Sequence, residues 1–301
     1  MKLSHSLLAA LLLSACAAPE GKQDVSTSEA ARAAAESAAG QVQAAEPEAL
    51  GDLSWTKGAM VAAADPRAVE AGLEVLRNGG NAIDAAIAVH TVLGLVEPQS
   101  SGIGGGAFMV YYDRAKDEIT VFDGRETAPA AATANWFVKD GEVMDFVSAW
   151  QSGHSVGVPG QVALYKAAHD FDGKADWASL FQPAIKLAEE GWDVSPRMSA
   201  LLANEQLRAM IRLDDNPVTA AYFYPNGEPL PEGYKRTNPD YAATLKAIAA
   251  DGPSAFYTGP LAQEIVDAAN AEPYGSEMTL DDLANYKVKI RPAVCGTLPT
   301  E

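Results

Sequence analysis

Four glycines in the five positions from 102 to 106, inside the run Ser100-Ser101-Gly102-Ile103-Gly104-Gly105-Gly106, constrain this chain more than any other feature. Glycine at that density weakens helix and strand alike, and it lets one backbone approach another with no Cβ between them. The two flanks differ. Upstream, Asn81 caps a helix running to Val96, with Asp84 three residues on; Ile83, Ala86, Ile87, Val89 and Leu93 make it apolar nearly all round, hence buried. Downstream, two β-rich runs, 108–112 and 119–122, are joined by polar residues 113–117 and read as a hairpin. A dinucleotide site needs the opposite order, strand before the glycines and helix after. A phosphate-binding P-loop also fails, because no Gly-Lys-Ser/Thr occurs. Two readings stay open: backbone N–H groups that hold an anion or oxyanion, or a tight connection between buried elements.

Around this core the pattern is mostly helical. Asp65 and Pro66 open an amphipathic helix with Val69, Leu73 and Leu76 on one face, and Gly79-Gly80 stop it. Further helices are expected over 160–169, 181–190, 196–210 after Ser195, 239–250 after Asn238, 259–270, and 280–286 after the cap Thr279 with Asp282. A β-like run covers 288–294. Strands are few for so many helices, and the sequence stops just after a β-like run, so the expectation is an α+β body that continues in a longer protein.

The N-terminus reads as an address. Lys2, an apolar run over 7–13 and Ser14-Ala15 have secretory signal architecture, too short for a stable membrane span. Residues 17–49 are rich in Ala, Glu, Ser and Gln and hold too little apolar surface to offset ordering entropy. The expected organisation is therefore a signal peptide at 1–15, a disordered tether at 16–54, and a folded body at 55–301.

Charge and composition narrow the function. With 22 Lys and Arg against 40 Asp and Glu the chain carries −18, a field that opposes nucleic acid. Cys16 and Cys295 lie far apart, and the four histidines, 5, 90, 154 and 169, contain no HExxH spacing, so neither a disulfide scaffold nor a histidine zinc site is expected, and no cofactor is.

Three polar candidates remain. Gly153-His154-Ser155-Val156-Gly157 matches the GxSxG elbow of α/β-hydrolases literally. Its context is wrong, since no clear strand precedes Ser155, Pro159 spoils the following turn, and the only later histidine is His169. Arg125, in Asp123-Gly124-Arg125-Glu126-Thr127-Ala128-Pro129, sits where a strand gives way to a loop, and its fork suits a substrate carboxylate. Chemistry alone favours a local ion pair with Asp123 or Glu126 instead. His90 and His169 read as structural, for want of a partnering nucleophile or acid.

The blocks Gly79-Gly80-Asn81-Ala82-Ile83-Asp84-Ala85-Ala86, Glu97-Pro98-Gln99-Ser100 through Gly106, and Asp123 through Pro129 strongly resemble γ-glutamyltransferases, in family order. Val156-Gly157-Val158-Pro159-Gly160, Ala184 through Gly191, Phe256-Tyr257-Thr258-Gly259 and Leu280 through Tyr286 extend the resemblance over about 57–296. It implies an αββα N-terminal-nucleophile hydrolase sandwich, made as a proenzyme that cleaves itself into large and small subunits. The small subunit's new N-terminal threonine then attacks the γ-glutamyl amide of glutathione and passes the glutamyl group to water, amino acids or peptides, its own α-amine serving as base. The resemblance assigns Arg125 to the substrate α-carboxylate, reversing the local-pair reading, and makes Ser155 part of a backbone feature. Thr297 and Thr300 lack the surroundings of the family's Thr-Thr-His or Thr-Ser-His cleavage block, so no catalytic nucleophile is expected in this chain and the sandwich is expected to be incomplete without a small subunit. A non-catalytic envelope lipoprotein that binds through the same scaffold, and a serine hydrolase acting through Ser155, are the alternatives.

Leu13-Ser14-Ala15-Cys16 resembles a bacterial lipobox, which implies cleavage before Cys16, lipidation of its thiol and a periplasm-facing lipoprotein, by expectation in the outer membrane; an ordinary signal peptide with a chance cysteine is the other reading. Changing Cys16 to Ala should leave uncleaved or mislocalised precursor, because the acidic body gains nothing from anionic lipid. Fractionation checks this, and quantitative recovery of the unmodified wild type in the soluble periplasmic fraction contradicts the lipobox.

Overall fold

The computed structural model describes residues 58–271 and 275–296; the signal peptide, Cys16, the tether, Thr297 and Thr300 lie outside the described residues. Two helices start the body. Helix α1, Pro66–Arg77, begins where the Asp65 carboxylate accepts the Arg67 N–H, and α2, Ala82–Val96, begins with a complete capping box between Asn81 and Asp84. Nine residues of α2 are buried, as its all-round apolarity requires. Asp84 is fully buried and accepts backbone N–H groups from Asn81 at 2.9 Å and from Lys174 and Ala175 at 3.0 Å each. One carboxylate thus ties the start of α2 to a loop ninety residues later.

The glycine loop leads into β1, Ala107–Asp113, which pairs antiparallel with β2, Glu118–Gly124, in register from Ala107 opposite Gly124 to Asp113 opposite Glu118. Two short strands follow, β3 Val138–Lys139 and β4 Glu142–Val143, then α3, Phe146–Trp150, and α4, Gln161–Asp172. Later come α5 Gln182–Glu190, β5 Trp192–Asp193, α6 Pro196–Leu202, α7 Glu205–Ile211, α8 Pro217–Phe223 and β6 Lys235–Arg236. The body closes with α9 Pro239–Asp251, α10 Ser254–Tyr257, α11 Gly259–Ala269, α12 Leu280–Ala284 and β7 Lys289–Pro292. Strand β7 pairs antiparallel with β2, giving the order β1-β2-β7 with β2 in the middle.

The main core gathers Ile83, Ile87, Val92 and Leu95 of α2, Leu164 and Tyr165 of α4, Phe181, and Leu245 and Ile248 of α9. One face of the sheet joins it through Met109, Tyr111 and the fully buried Phe122. The opposite face, Phe108, Val110, Tyr112 and Ile119, is exposed and apolar. Helix α4 lies so close to β2 that a Cβ on Gly124 would sit 2.6 Å from Leu164 Cβ. A smaller cluster, Val194, Met198, Leu202, Tyr224 and Leu230, packs beneath α6.

Two sequence expectations need correction. The single helix over 196–210 is broken into α6 and α7, because Asn204 adopts extended backbone and caps a new helix through the Leu207 N–H. The helix over 280–286 ends at Ala284, which frees Tyr286 from the helical repeat.

Replacing the fully buried Asp84 with Ala removes the acceptor of three backbone N–H donors, those of Asn81, Lys174 and Ala175, and should cost about 2–4 kcal/mol in urea unfolding. A loss below about 0.5 kcal/mol would show that water replaces the carboxylate.

Candidate functional site

Arg125 follows the last residue of β2, and its backbone N–H donates to Asp123 Oδ1 at 3.2 Å. The other Asp123 oxygen accepts Arg291 Nε of β7 at 2.7 Å. That N–H bond, with Arg291 beside it, holds the Asp123 carboxyl below the usual carboxylate range. Of the two local partners expected for the Arg125 guanidinium, Asp123 is therefore engaged elsewhere. Glu126 does pair with it, Nη2 to Oε2 at 3.1 Å, while Nη1 donates to the Gly106 carbonyl at 3.2 Å. The Arg125 side chain is still 52% exposed, so an ion pair of this kind is weak and exchangeable.

The fork borders a cavity of about 480 Å³ whose other walls include Gly104, Thr127, Ser155 and Gly157. Thr127 and Val158 hold that wall by a reciprocal bridge, with N···O distances of 3.3 and 2.8 Å. A neighbouring cavity of about 370 Å³ shares Gly104 and Glu126 and is bordered by His90, Ser100 and Ser101. A third cavity, about 770 Å³ around Trp136 and His154, shares no lining residue with the Arg125 cavity.

The glycine loop itself is stitched to the start of α4, where the Gly105 carbonyl accepts both the Gly160 and Gln161 N–H groups at 3.0 Å. Those two amides are consumed internally, which ties the loop closely to the helix as the tight-connection reading expects. Ser155 lies in a 3-10 turn after α3 rather than between a strand and a helix. Its Oγ sits 2.8 Å from the Trp150 carbonyl and 3.0 Å from the Ser152 carbonyl, so its proton is held by main chain. The adjacent His154 is edge-on to Trp136, with Nδ1 buried and unpartnered, and makes no bond to Ser155. The geometry of a serine nucleophile is missing.

His90 joins the loop to the core. Its Nε2 is 3.1 Å from Ser101 Oγ, and its Nδ1 is hydrogen-bonded to the Tyr165 hydroxyl. Burial lowers its pKa to about 4, so the imidazole is neutral near pH 7. Tyr165 is pushed well above the usual phenol range by burial and stays protonated. His169 is structural too, with Nε2 2.9 Å from the Ala175 carbonyl. Sequence reasoning missed Tyr286, whose hydroxyl donates to the Arg125 carbonyl at 2.7 Å, and Asp282, whose Oδ1 accepts the Ala130 N–H at 2.8 Å. Asp282 was read only as the capping partner of Thr279, and the signal for Tyr286 was membership of the last helical block.

Comparison with known proteins converges on one family. The gamma-glutamyltranspeptidase family model matches residues 68–301. A glutathione hydrolase proenzyme of Bacillus subtilis strain 168 is 39% identical over 241 residues, covering 80% of this chain and 40% of that protein. The chain thus spans about 40% of the length of that curated relative. Among solved structures, the gamma-glutamyltranspeptidase of Helicobacter pylori superposes with a TM-score of 0.74 at 36% identity, covering 80% of this chain and 68% of that one. The gamma-glutamyltranspeptidase from Pseudomonas nitroreducens complexed with L-DON gives 0.69 at 33% identity, covering 78% and 67%.

The buried imidazole gives a pH signature. Between pH 6.5 and about 4 the unfolded chain protonates His90 while the folded chain does not, so stability falls as pH drops through that window, by up to about 3 kcal/mol. His90→Gln should flatten this dependence in urea unfolding at pH 7 and pH 4.5, whereas identical slopes in both proteins would mean that His90 is solvated.

Proposed function

The chain belongs to the gamma-glutamyltranspeptidase family, and on that premise we propose that it is the large-subunit portion of an enzyme that cleaves the γ-glutamyl amide of glutathione. In this reading the glutamyl group forms an acyl-enzyme on a threonine and passes to water, an amino acid or a peptide. In this reading the carboxylate-binding block lies in these residues, and the threonine and the oxyanion donors belong to the small-subunit portion of the enzyme. The observation that carries the reading is the half-exposed Arg125 fork, placed by β2 at the edge of a cavity and held, among the described residues, by Glu126 and one carbonyl.

Arg125 binds the α-carboxylate of the γ-glutamyl group. A planar guanidinium presents two parallel N–H donors to two carboxylate oxygens, and exchanging the weak Glu126 pair for a ligand carboxylate in a partly enclosed cavity favours the ligand. Glu126 is then released beside the ligand, where its charge suits the ligand's α-ammonium group.

The same reading extends to the fold. The β1-β2-β7 sheet forms one layer of an αββα sandwich, with helices against Met109, Tyr111 and Phe122, and a second sheet from the small subunit covering Phe108, Val110, Tyr112 and Ile119. Support comes from the apolar character of that exposed face, since contiguous apolar surface of this kind marks an interaction site. At the other end of the chain, lipidation at Cys16 and the tether over 16–54 hold the body at the periplasmic side of the envelope; these residues lie outside the described ones.

Arg125→Lys keeps the charge and loses the fork. Losing a charged hydrogen bond of this type costs about 1.5–3 kcal/mol, so glutathione affinity, or donor KM in enzyme reconstituted with a small subunit, should worsen roughly ten- to a hundred-fold. Self-cleavage, which involves no bound glutamate, should proceed in a full-length proenzyme that carries Arg125→Lys. Normal affinity in a folded Arg125→Lys protein would remove Arg125 from the site.

A further inference from the structure

Arg125 is held on both sides of its own peptide. Its N–H is bound by Asp123, and its C=O is bound by the Tyr286 hydroxyl at 2.7 Å across 161 residues of sequence. Tyr286 lies just beyond α12, and Asp282 inside α12 accepts the Ala130 N–H at 2.8 Å, so one short element grips the 125–130 loop at both ends. The Tyr286 ring stacks on Tyr257, with centroids 5.9 Å apart and planes 7° from parallel. Tyr257 is in turn anchored, its hydroxyl donating to the Pro159 carbonyl at 2.8 Å and accepting the Ala163 N–H at 3.2 Å.

The Tyr286 hydroxyl reaches Arg125 only because side chains are missing around it. A Cβ on Gly160 would lie 2.1 Å from that hydroxyl oxygen and 2.3 Å from the Gly124 carbonyl, and a Cβ on Gly106 would lie 2.4 Å from the same carbonyl. Three segments that the sequence marks as separate blocks therefore leave a slot in which a phenol meets one main-chain oxygen. Phenylalanine would fill the ring's space equally well, so the hydroxyl is present for the hydrogen bond. Burial, with Asp123 and Glu126 nearby, raises the phenol's pKa and keeps the proton available for donation.

We propose that Tyr286, assisted by Asp282, is a positioning residue that sets the direction in which Arg125 leaves β2, holding its fork toward the cavity to receive the carboxylate of a γ-glutamyl ligand. The proposal rests on the assignment of Arg125 to that carboxylate. Without the bond, the Arg125 peptide is free to rotate and the guanidinium settles further onto Glu126 and the Gly106 carbonyl, its existing partners.

The test uses the full chain, glutathione as the probe, and four proteins: wild type, Tyr286→Phe, Arg125→Lys and the double variant. Titration calorimetry gives affinity, and amide hydrogen exchange over 125–130 reports the loop without any ligand. Tyr286→Phe should weaken glutathione about three- to ten-fold, the range of one neutral hydrogen bond, and speed exchange in 125–130. The double variant should bind within about twofold of Arg125→Lys alone, because Tyr286 acts through Arg125 and the effects do not add. Additive losses, or a Tyr286→Phe protein with wild-type affinity and exchange beside a weakened Arg125→Lys, would overturn the proposal alone. Normal binding by Arg125→Lys, or no binding by the wild type, overturns the carboxylate assignment and the proposal with it.

Discussion

Three main-chain segments cross near Arg125 more closely than any side chain allows, and the rest of the site depends on that crossing. The glycine loop contributes Gly106, the end of β2 contributes Gly124, and the start of α4 contributes Gly160. Hydrogen bonds from Gly160 and Gln161 to the Gly105 carbonyl fix the loop to the helix, and the Leu164 side chain fills the space over Gly124. Packing of this density permits few alternative arrangements. It turns a flexible arginine at a strand end into a fork with a defined origin, and it explains why the glycines lie in three separate blocks of sequence.

Local chemistry made much of the fold legible. The Asn81 and Asp84 capping box, the Asp65-Pro66 start and the hairpin across Asp113 were readable because each is decided within a few residues. What was not legible is long-range. Nothing near 288–294 says that β7 joins β2 rather than β1, and nothing near Leu280 says that Tyr286 meets Arg125. The break between α6 and α7 was missed for a different reason: apolar spacing continued through 196–210, and the cap at Asn204 outweighed it.

Two residues that the sequence put forward for the candidate site have different surroundings in the structure. Arg125 was weighed against Asp123 and Glu126 as local partners, and the structure separates them, since Asp123 is drawn away by Arg291 while Glu126 stays within reach. Ser155 carried the full motif, yet its hydroxyl is turned onto the Trp150 and Ser152 carbonyls and is hydrogen-bonded to no base among the described residues. A motif records residue order, whereas nucleophilic chemistry needs a proton acceptor at hydrogen-bond distance. His90, set aside from sequence as structural, is indeed a buried neutral group, but it also braces Ser101 of the glycine loop against Tyr165.

The central claim is that this scaffold exists to present the Arg125 fork to a carboxylate. Its most direct test is the arginine side-chain Nε–H spectrum of the folded chain during a glutathione titration, with the Arg125 resonance assigned through Arg125→Lys. The fork assignment predicts that Arg125 shifts with saturation while Arg67 and Arg197, already paired with Asp65 and Glu97, stay in place. A chain that binds glutathione with the Arg125 resonance unmoved would contradict it.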